Sequence, residues 1–225
     1  MALSPSFRRF RSLLNSLSVN SLTRSLQYEI LNSLGNLGDV LDFGGGSKSH
    51  YIKNINCKSY KSINIDQIIE PTWLIKAGDP IPNLKNKFDT VISFNTIEHI
   101  YEPSKLIFEF YRILKPGGTV LITTPFLFPI HGHPDDFFRP TPSWYRQTLN
   151  YYGFREINII PLAWGPFSTA ASVSGMPGPA KKFRMKINLL IDLLYFYLKC
   201  RKLNKLDIKN NYEQFATAFF VRAIK

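Results

Sequence analysis

Three consecutive glycines at the end of a short apolar run constrain this chain more than any other feature. Val40-Leu41-Asp42-Phe43 reads as a brief buried strand, and Gly44-Gly45-Gly46-Ser47-Lys48 follows at once. Glycines in that place let the backbone turn sharply and leave no Cβ to hold a ligand away. A tight turn alone would also explain them. The dinucleotide fingerprint G-x-G-x-x-G is not met, because Ser49 stands at its third glycine. A phosphate loop is excluded, because Gly-Lys-Ser/Thr does not occur.

Past the glycines the chain alternates short apolar runs with stretches of helical period, the pattern of a parallel α/β sheet. Strands are predicted over residues 40–43, 60–65, 72–77, 88–95, 119–123 and 154–160, with a last one over 215–223. A helix is predicted over 103–114, where Leu106, Ile107, Phe110, Ile113 and Leu114 share one helical face and Pro116-Gly117-Gly118 stops it. Another is predicted over 141–152, with Thr141 as N-cap, Pro142 at the first helical position and Gly153 at its end. Polar residues fall at four successive strand ends: Asp42 with its glycines, then Asp66, Asp79 and Asn95. Ligands of open parallel sheets bind outside the carboxyl ends of the strands, so these residues outline one pocket. Asp66 stands where a carboxylate accepts both hydroxyls of a ribose.

These segments resemble the class I S-adenosylmethionine-dependent methyltransferases, in particular the small-molecule group that includes ubiquinone-type enzymes. Asp42, Gly44 and Gly46 match the family's D-x-G-x-G loop, Asp66 its ribose-binding acid, and Gly78-Asp79 the motif beside the adenine. Phe88-Asp89-Thr90-Val91-Ile92 with Glu98-His99 is similar to its fourth strand and the turn after it. Tyr111-Arg112-Ile113-Leu114-Lys115-Pro116-Gly117-Gly118 is the most specific piece. The resemblance implies an α/β, Rossmann-like fold: a mostly parallel seven-stranded sheet whose antiparallel last strand is inserted beside the fifth. It implies S-adenosylmethionine as cofactor, held by Asp42, Gly44, Gly45, Gly46, Asp66, Asp79 and Asn95. One departure is Lys48, where the family usually has a third glycine. A lysine there either pairs with the methionine carboxylate or weakens binding. Glu98 and His99 are expected to shape the cofactor pocket rather than to catalyse.

The loop His131-Gly132-His133-Pro134-Asp135-Asp136-Phe137-Phe138-Arg139-Pro140 follows the fifth strand on the same rim. Methyl transfer to a hydroxyl needs a proton acceptor near the nucleophile, which makes His133 the first candidate base and His131 the second. The plainer alternative is a loop held by Asp–Arg pairing and aromatic packing. Its His and Asp residues do not follow a recognised zinc spacing, so no metal site is expected here. The stretch resembles one in methyltransferases encoded with glycan-assembly genes, with Asp135 or Asp136 as the acid and Arg139-Pro140-Thr141 as the Arg-x-Thr element. A saccharide or glycolipid-precursor hydroxyl is therefore the favoured acceptor. Quinones or other lipid-like substrates, RNA, and a non-catalytic interaction protein retaining the fold are the alternatives.

Charge separates these alternatives. The net charge is +12, yet residues 29–160 are neutral, with 13 bases and 13 acids. Residues 1–28 carry Arg8, Arg9, Arg11 and Arg24 and no acid, and residues 161–225 carry 11 bases against 3 acids. A neutral centre with basic ends does not suggest polyanion binding by the central module. No Asn/Asp-Pro-Pro-Tyr/Phe motif follows the fourth strand, which reads Ser93-Phe94-Asn95-Thr96. Both observations argue against nucleic acid. Two cysteines are too few for a disulfide framework and fit a reducing compartment.

The chain is read as one methyltransferase domain over 1–225. It has a helical N-terminal region at 1–38, a cofactor-binding core at 39–160, an insert or lid at 161–213 and a final strand at 214–225. The basic start of the chain resembles a transit peptide in composition, while a short amphipathic helix bearing Leu13, Leu14 and Leu17 is the preferred reading. Residues 161–179 have loop composition, rich in Pro and Gly. Residues 183–203 form a leucine- and tyrosine-faced helix flanked by Lys181, Lys182, Arg184 and Lys186 and by Lys199, Arg201, Lys202 and Lys205. Such a helix suits its own domain, a homodimer, or a peripheral contact with a membrane surface. Asn188 and Asp192 break its apolar run, so no membrane span is expected. The location expected is cytoplasmic, with the membrane contact as an addition.

Overall fold

The structure, a computed structural model, describes residues 4–132 and 135–225. Its centre is a seven-stranded sheet in the order β3-β2-β1-β4-β5-β7-β6. The strands are β1 (Asp39–Phe43), β2 (Ser59–Asn64), β3 (Trp73–Leu74), β4 (Phe88–Phe94), β5 (Leu114–Pro125), β6 (Arg155–Leu162) and β7 (Ala218–Ile224). Strands β1 to β5 pair in parallel, with Leu41 opposite Lys61 on one side and Val91 on the other. Against β5, β7 runs antiparallel: Phe126 donates to Thr217 at one end, and Gly117 and Lys225 bond at the other. This is the order that the resemblance implies, with the last strand inserted beside the fifth.

The chain divides into two compact units. The first comprises residues 30–124, 131–159 and 220–225. Val40, Leu41, Ile63, Val91, Ile92 and Ile122 are completely buried there, as parallel strands covered on both faces must be. Helix α3 (Pro103–Ile113) buries Leu106, Ile107, Phe110 and Ile113, the stripe that its spacing predicts. Helix α4 (Pro142–Tyr151) starts as expected, with the Thr141 hydroxyl accepting from the Trp144 N–H at 3.3 Å. Strand β5 begins five residues before its predicted start. Leu114 already pairs with Phe88, Gly117 turns at φ +77°, and the register shifts before Thr119 meets Thr90. Lys115 fastens this corner, reaching Asp89 Oδ1 at 2.8 Å and Asp39 Oδ2 at 3.2 Å.

The second unit comprises the chain up to Glu29, residues 125–130 and residues 160–219. It holds α1 (Phe7–Ser16), α2 (Leu22–Leu31, whose last two residues belong to the first unit), α5 (Pro166–Val173), α6 (Lys181–Tyr195) and α7 (Lys205–Glu213). The expected loop at 161–179 contains a helix, α5, because a distant residue caps it. Asp192, fully buried on α6, accepts from the Phe167 and Ser168 N–H groups at 2.9 and 2.8 Å. A side chain at Gly165 would strike that carboxylate. The single long helix expected at 183–203 is also divided: α6 ends at Tyr195, and a π-helical turn, Phe196–Cys200, buries Phe196 and Cys200 together. Arg9 is built into this unit, paired with both oxygens of Glu29 at 2.6 and 2.8 Å and lying over the Trp164 ring at 5.2 Å.

Candidate active site

Asp42 lies in β1 and is completely buried. Its Oδ2 accepts from the Tyr60 hydroxyl at 2.5 Å and the Tyr51 hydroxyl at 2.9 Å. Its Oδ1 accepts no hydrogen bond among the described residues. Burial pushes its pKa up to about 7 against the pull of the two phenols. Neither tyrosine was legible as a site residue, because Tyr60 alternates along a strand like any sheet residue and Tyr51 falls in a loop.

The glycine turn is tight because the protein itself crowds it. Gly44 has φ +94°, and a Cβ there would meet Thr96. A Cβ at Gly45 would meet the Asp42 carboxylate, and one at Gly46 would meet the Ile69 carbonyl. The loop is tied to the segment after β2, where Ser47 and Lys48 N–H donate to the carbonyls of Glu70 (3.3 Å) and Ile69 (3.2 Å). Lys48 Nζ also pairs with Glu70 Oε1 at 2.7 Å, which holds the Glu70 carboxyl below the usual range. Asp66 opens this same segment. One of its oxygens caps the short turn that follows, accepting from Ile68 N–H at 2.8 Å. Ile65 and Ile68 beside it are exposed, Ile68 at 78%. The structure thus brings Asp42, Gly44, Gly45, Gly46 and the Asp66 loop together. Asn95 terminates β4 in the left-handed conformation, φ +53°, its N–H bonded to the Thr123 carbonyl at 2.7 Å. Asp79 is exposed and caps its own turn, accepting from Lys76 N–H at 2.8 Å, and among the described residues no hydrogen bond joins it to the other site residues.

On the rim formed past β4 and β5, three further groups converge. Glu98, completely buried, stands 3.7 Å from His99 Nε2 and 3.9 Å from His131 Nε2 through its Oε1. Neither Glu98 oxygen accepts a hydrogen bond from another residue among the described residues, and burial pushes its pKa up to about 7. The His131 N–H donates to Asp136 Oδ2 at 2.9 Å, and the ring Nδ1 is 3.3 Å from the same oxygen. Arg139 grips both oxygens of Asp136 and holds that carboxyl at about 2. Of the two acids the sequence left open, Asp136 is therefore the one paired with Arg139. Asp135 instead presents its backbone carbonyl to His99 Nδ1. Phe137 N–H donates to the Glu98 carbonyl at 2.8 Å, and its ring meets that of Tyr101 at 5.5 Å. His133, the first candidate base, lies outside the described residues.

A cofactor of the expected kind fits this chain's residues. A buried Asp42 oxygen that accepts no hydrogen bond among the described residues lies beside a crowded glycine turn, and the Asp66 carboxylate belongs to the segment bonded to that turn. Comparison with known proteins agrees. A methyltransferase-domain family model matches residues 8–168. A Mycolicibacterium smegmatis protein named "Probable S-adenosylmethionine-dependent methyltransferase" is 37% identical over 46 residues, 20% of this chain and 17% of that one. Sarcosine/dimethylglycine N-methyltransferase of Halorhodospira halochloris is 27% identical over 150 residues, 53% of this chain and 52% of that one. The chain thus spans about half or less of the length of these curated relatives. In fold it is similar to Haemonchus contortus phosphoethanolamine N-methyltransferase 2, solved with phosphomonomethylethanolamine and S-adenosylhomocysteine. The TM-score is 0.52 at 16% identity, over 88% of this chain and 52% of that one. With a match across well over half of its length, this chain belongs to the methyltransferase-domain family.

Proposed function

We propose that this protein transfers a methyl group from S-adenosylmethionine to a hydroxyl of a polar small molecule, a saccharide or glycolipid precursor. The observation that carries the cofactor assignment is the buried Oδ1 of Asp42, which accepts no hydrogen bond among the described residues, beside the glycine turn. A ligand ammonium supplies what that oxygen lacks, and Asp66 offers a carboxylate to the ribose. When bound, S-adenosylmethionine supplies an electrophilic methyl. This chain's part is to hold the acceptor in line and to receive the hydroxyl proton, a role for the imidazoles His133 and His131.

The acceptor class rests on the rim. Tyr101 is 80% exposed and Phe137 46% exposed, and together they form an open aromatic corner beside the His131 cluster. Aromatic faces next to charged and hydrogen-bonding groups suit a sugar, which is apolar on one side and polar at its edges. A labelled-methyl assay over sugar nucleotides, glycolipids, quinone precursors, small amines such as sarcosine, and RNA tests it. Turnover of the saccharides is expected. Turnover of amines alone would move the acceptor toward that of the Halorhodospira relative, and turnover of RNA alone would overturn the class.

A lipid-linked acceptor also accounts for α6. Its buried side carries Met185, Leu189 and Leu193, while Phe183, Ile187, Leu190, Ile191 and Leu194, continued by Leu198 in the π-helical turn, form a second apolar stripe exposed to solvent. Basic residues stand at both ends of that stripe, a charge pattern that matches an anionic membrane surface. No helix of the described residues is long and apolar enough to cross a membrane, so the contact is peripheral. Vesicles with anionic lipid at low salt should capture the protein, and Leu194→Gln with Leu198→Gln should release it. A concentration-dependent doubling of mass without vesicle binding would assign the stripe to a homodimer instead.

A further inference from the structure

We propose that Glu98, His99 and His131 form a binding site for a divalent first-row transition ion. One carboxylate and two imidazoles offer three ligand atoms that all lie within 4.8 Å of one another. Glu98 is the decisive member. Its distances of 3.7 and 3.9 Å to the two imidazoles are too long for hydrogen bonds, and neither of its oxygens accepts one from another residue among the described residues. A completely buried carboxylate in that state is costly, and a bound cation removes the cost.

Both histidines are turned for ligation. In His99 the Nδ1 meets the Asp135 carbonyl, and in His131 the Nδ1 faces Asp136, so each ring directs Nε2 toward Glu98. A carbonyl or carboxylate behind the distal nitrogen fixes the tautomer and orientation of metal-bound histidines. Arg139 in turn anchors Asp136, so the supporting group is itself held. Ligands of a tetrahedral ion stand about 3.4 Å apart, so the three side chains need only a small contraction. Two nitrogens and one oxygen suit zinc, iron, cobalt or manganese better than magnesium or calcium.

Three protein ligands leave at least one position open. An acceptor oxygen bound there loses its proton more readily, which leaves His133 rather than His131 to receive it. This consequence rests on the proposed acceptor chemistry, whereas binding of the ion does not.

The test uses the whole chain stripped by a chelator and titrated with cobalt chloride, read by visible absorption, with zinc chloride as competitor. One cobalt per chain is expected, displaced by zinc. Glu98→Gln, His99→Ala and His131→Ala should each weaken binding at least tenfold, and Asp136→Asn roughly tenfold through its support of His131. His50→Ala should leave it unchanged. Calorimetry with S-adenosylmethionine and a thermal melt identify any variant that fails to fold, and the remaining ligand variants then decide. Absence of a saturable cobalt spectrum in the wild type would overturn the site. So would a spectrum that survives Glu98→Gln and His99→Ala but vanishes in His133→Ala. A wild-type protein that takes cobalt but not S-adenosylmethionine would instead sink the cofactor assignment and keep the ion site.

Discussion

Asp42, within β1, and Glu98, just past β4, are both completely buried carboxyls pushed up to about 7 by desolvation, yet their surroundings differ. Asp42 has two phenolic donors on one oxygen, and its other oxygen accepts no hydrogen bond among the described residues. Glu98 has no donor from another of the described residues on either oxygen, and two imidazoles stand at a longer distance. The difference separates two ways of holding charge at strand ends. Half of Asp42's demand is met by folding, which leaves it suited to shape a loop and greet one ligand group. Nearly all of Glu98's demand is deferred to something that binds.

The largest expected consequence is a pH dependence of stability carried by Asp42. Its pKa in the folded protein lies above the unfolded value of 3.8, so the native state holds a proton that the unfolded chain has released. The stabilising contribution is complete below about pH 4 and is lost as pH rises through about 7, on the order of 4 kcal/mol in total. Urea melts between pH 4 and 8 should show that loss together with a smaller one of the same sign from Glu98, and Asp42→Asn should reduce the slope to the Glu98 part. An unchanged slope in that variant would place the buried titration elsewhere.

Next in size is an attempt to make Asp42 resemble Glu98. Tyr60→Phe removes the shorter of its two hydrogen bonds and should destabilise the fold by about 1–3 kcal/mol. The effect should be larger at pH 8 than at pH 5, since only the ionised carboxylate needs that donor strongly. Tyr51→Phe should act in the same direction and less, from 2.9 Å. Equal losses at both pH values would mean that the tyrosines matter for packing alone.

The same contrast explains what the sequence could and could not disclose. The glycine turn, the Thr141 cap and the α3 stripe follow from periodicity and from residue types with one favoured conformation, whereas the place of the last strand beside the fifth follows only from the family resemblance. Asp66 and Asp42 were legible for the same reason, since their positions follow from strand ends. The Glu98–His99–His131 cluster was not, because His131 reaches Glu98 from another loop and no local pattern links the two. Helix α5 was hidden likewise. Its Pro and Gly residues read as a loop, and the Asp192 that caps it lies a helix away. In α6 the alternation of leucines was visible, but not which of two apolar stripes would be covered.

An effect of similar size, on binding rather than on stability, is expected at Asp66. Loss of a charge-assisted ribose contact is worth about 1.5–3 kcal/mol, so Asp66→Ala should weaken S-adenosylmethionine binding roughly tenfold or more. Calorimetry reads it directly. Glu98→Gln should leave that affinity nearly unchanged if the two carboxyls serve different ligands, and a comparable loss there would merge the two sites into one.

The smallest effect concerns Lys48. A lysine in the glycine loop has two uses, to reach the cofactor's carboxylate or to fasten the loop. Its ammonium lies on Glu70 at 2.7 Å, and both side chains are well exposed. Three other bonds join the same two segments: Ser47 N–H to the Glu70 carbonyl, Lys48 N–H to the Ile69 carbonyl, and the Ser47 hydroxyl to Glu70 Oε2 at 3.1 Å. Removing an exposed ammonium from a link so backed changes little, because solvent and salt already screen such a pair. Lys48→Ala and Glu70→Ala should each alter S-adenosylmethionine affinity by about twofold or less, at low and at high salt. A loss of tenfold or more in Lys48→Ala alone, absent in Glu70→Ala and erased by salt, would show the lysine leaving Glu70 for the ligand's carboxylate.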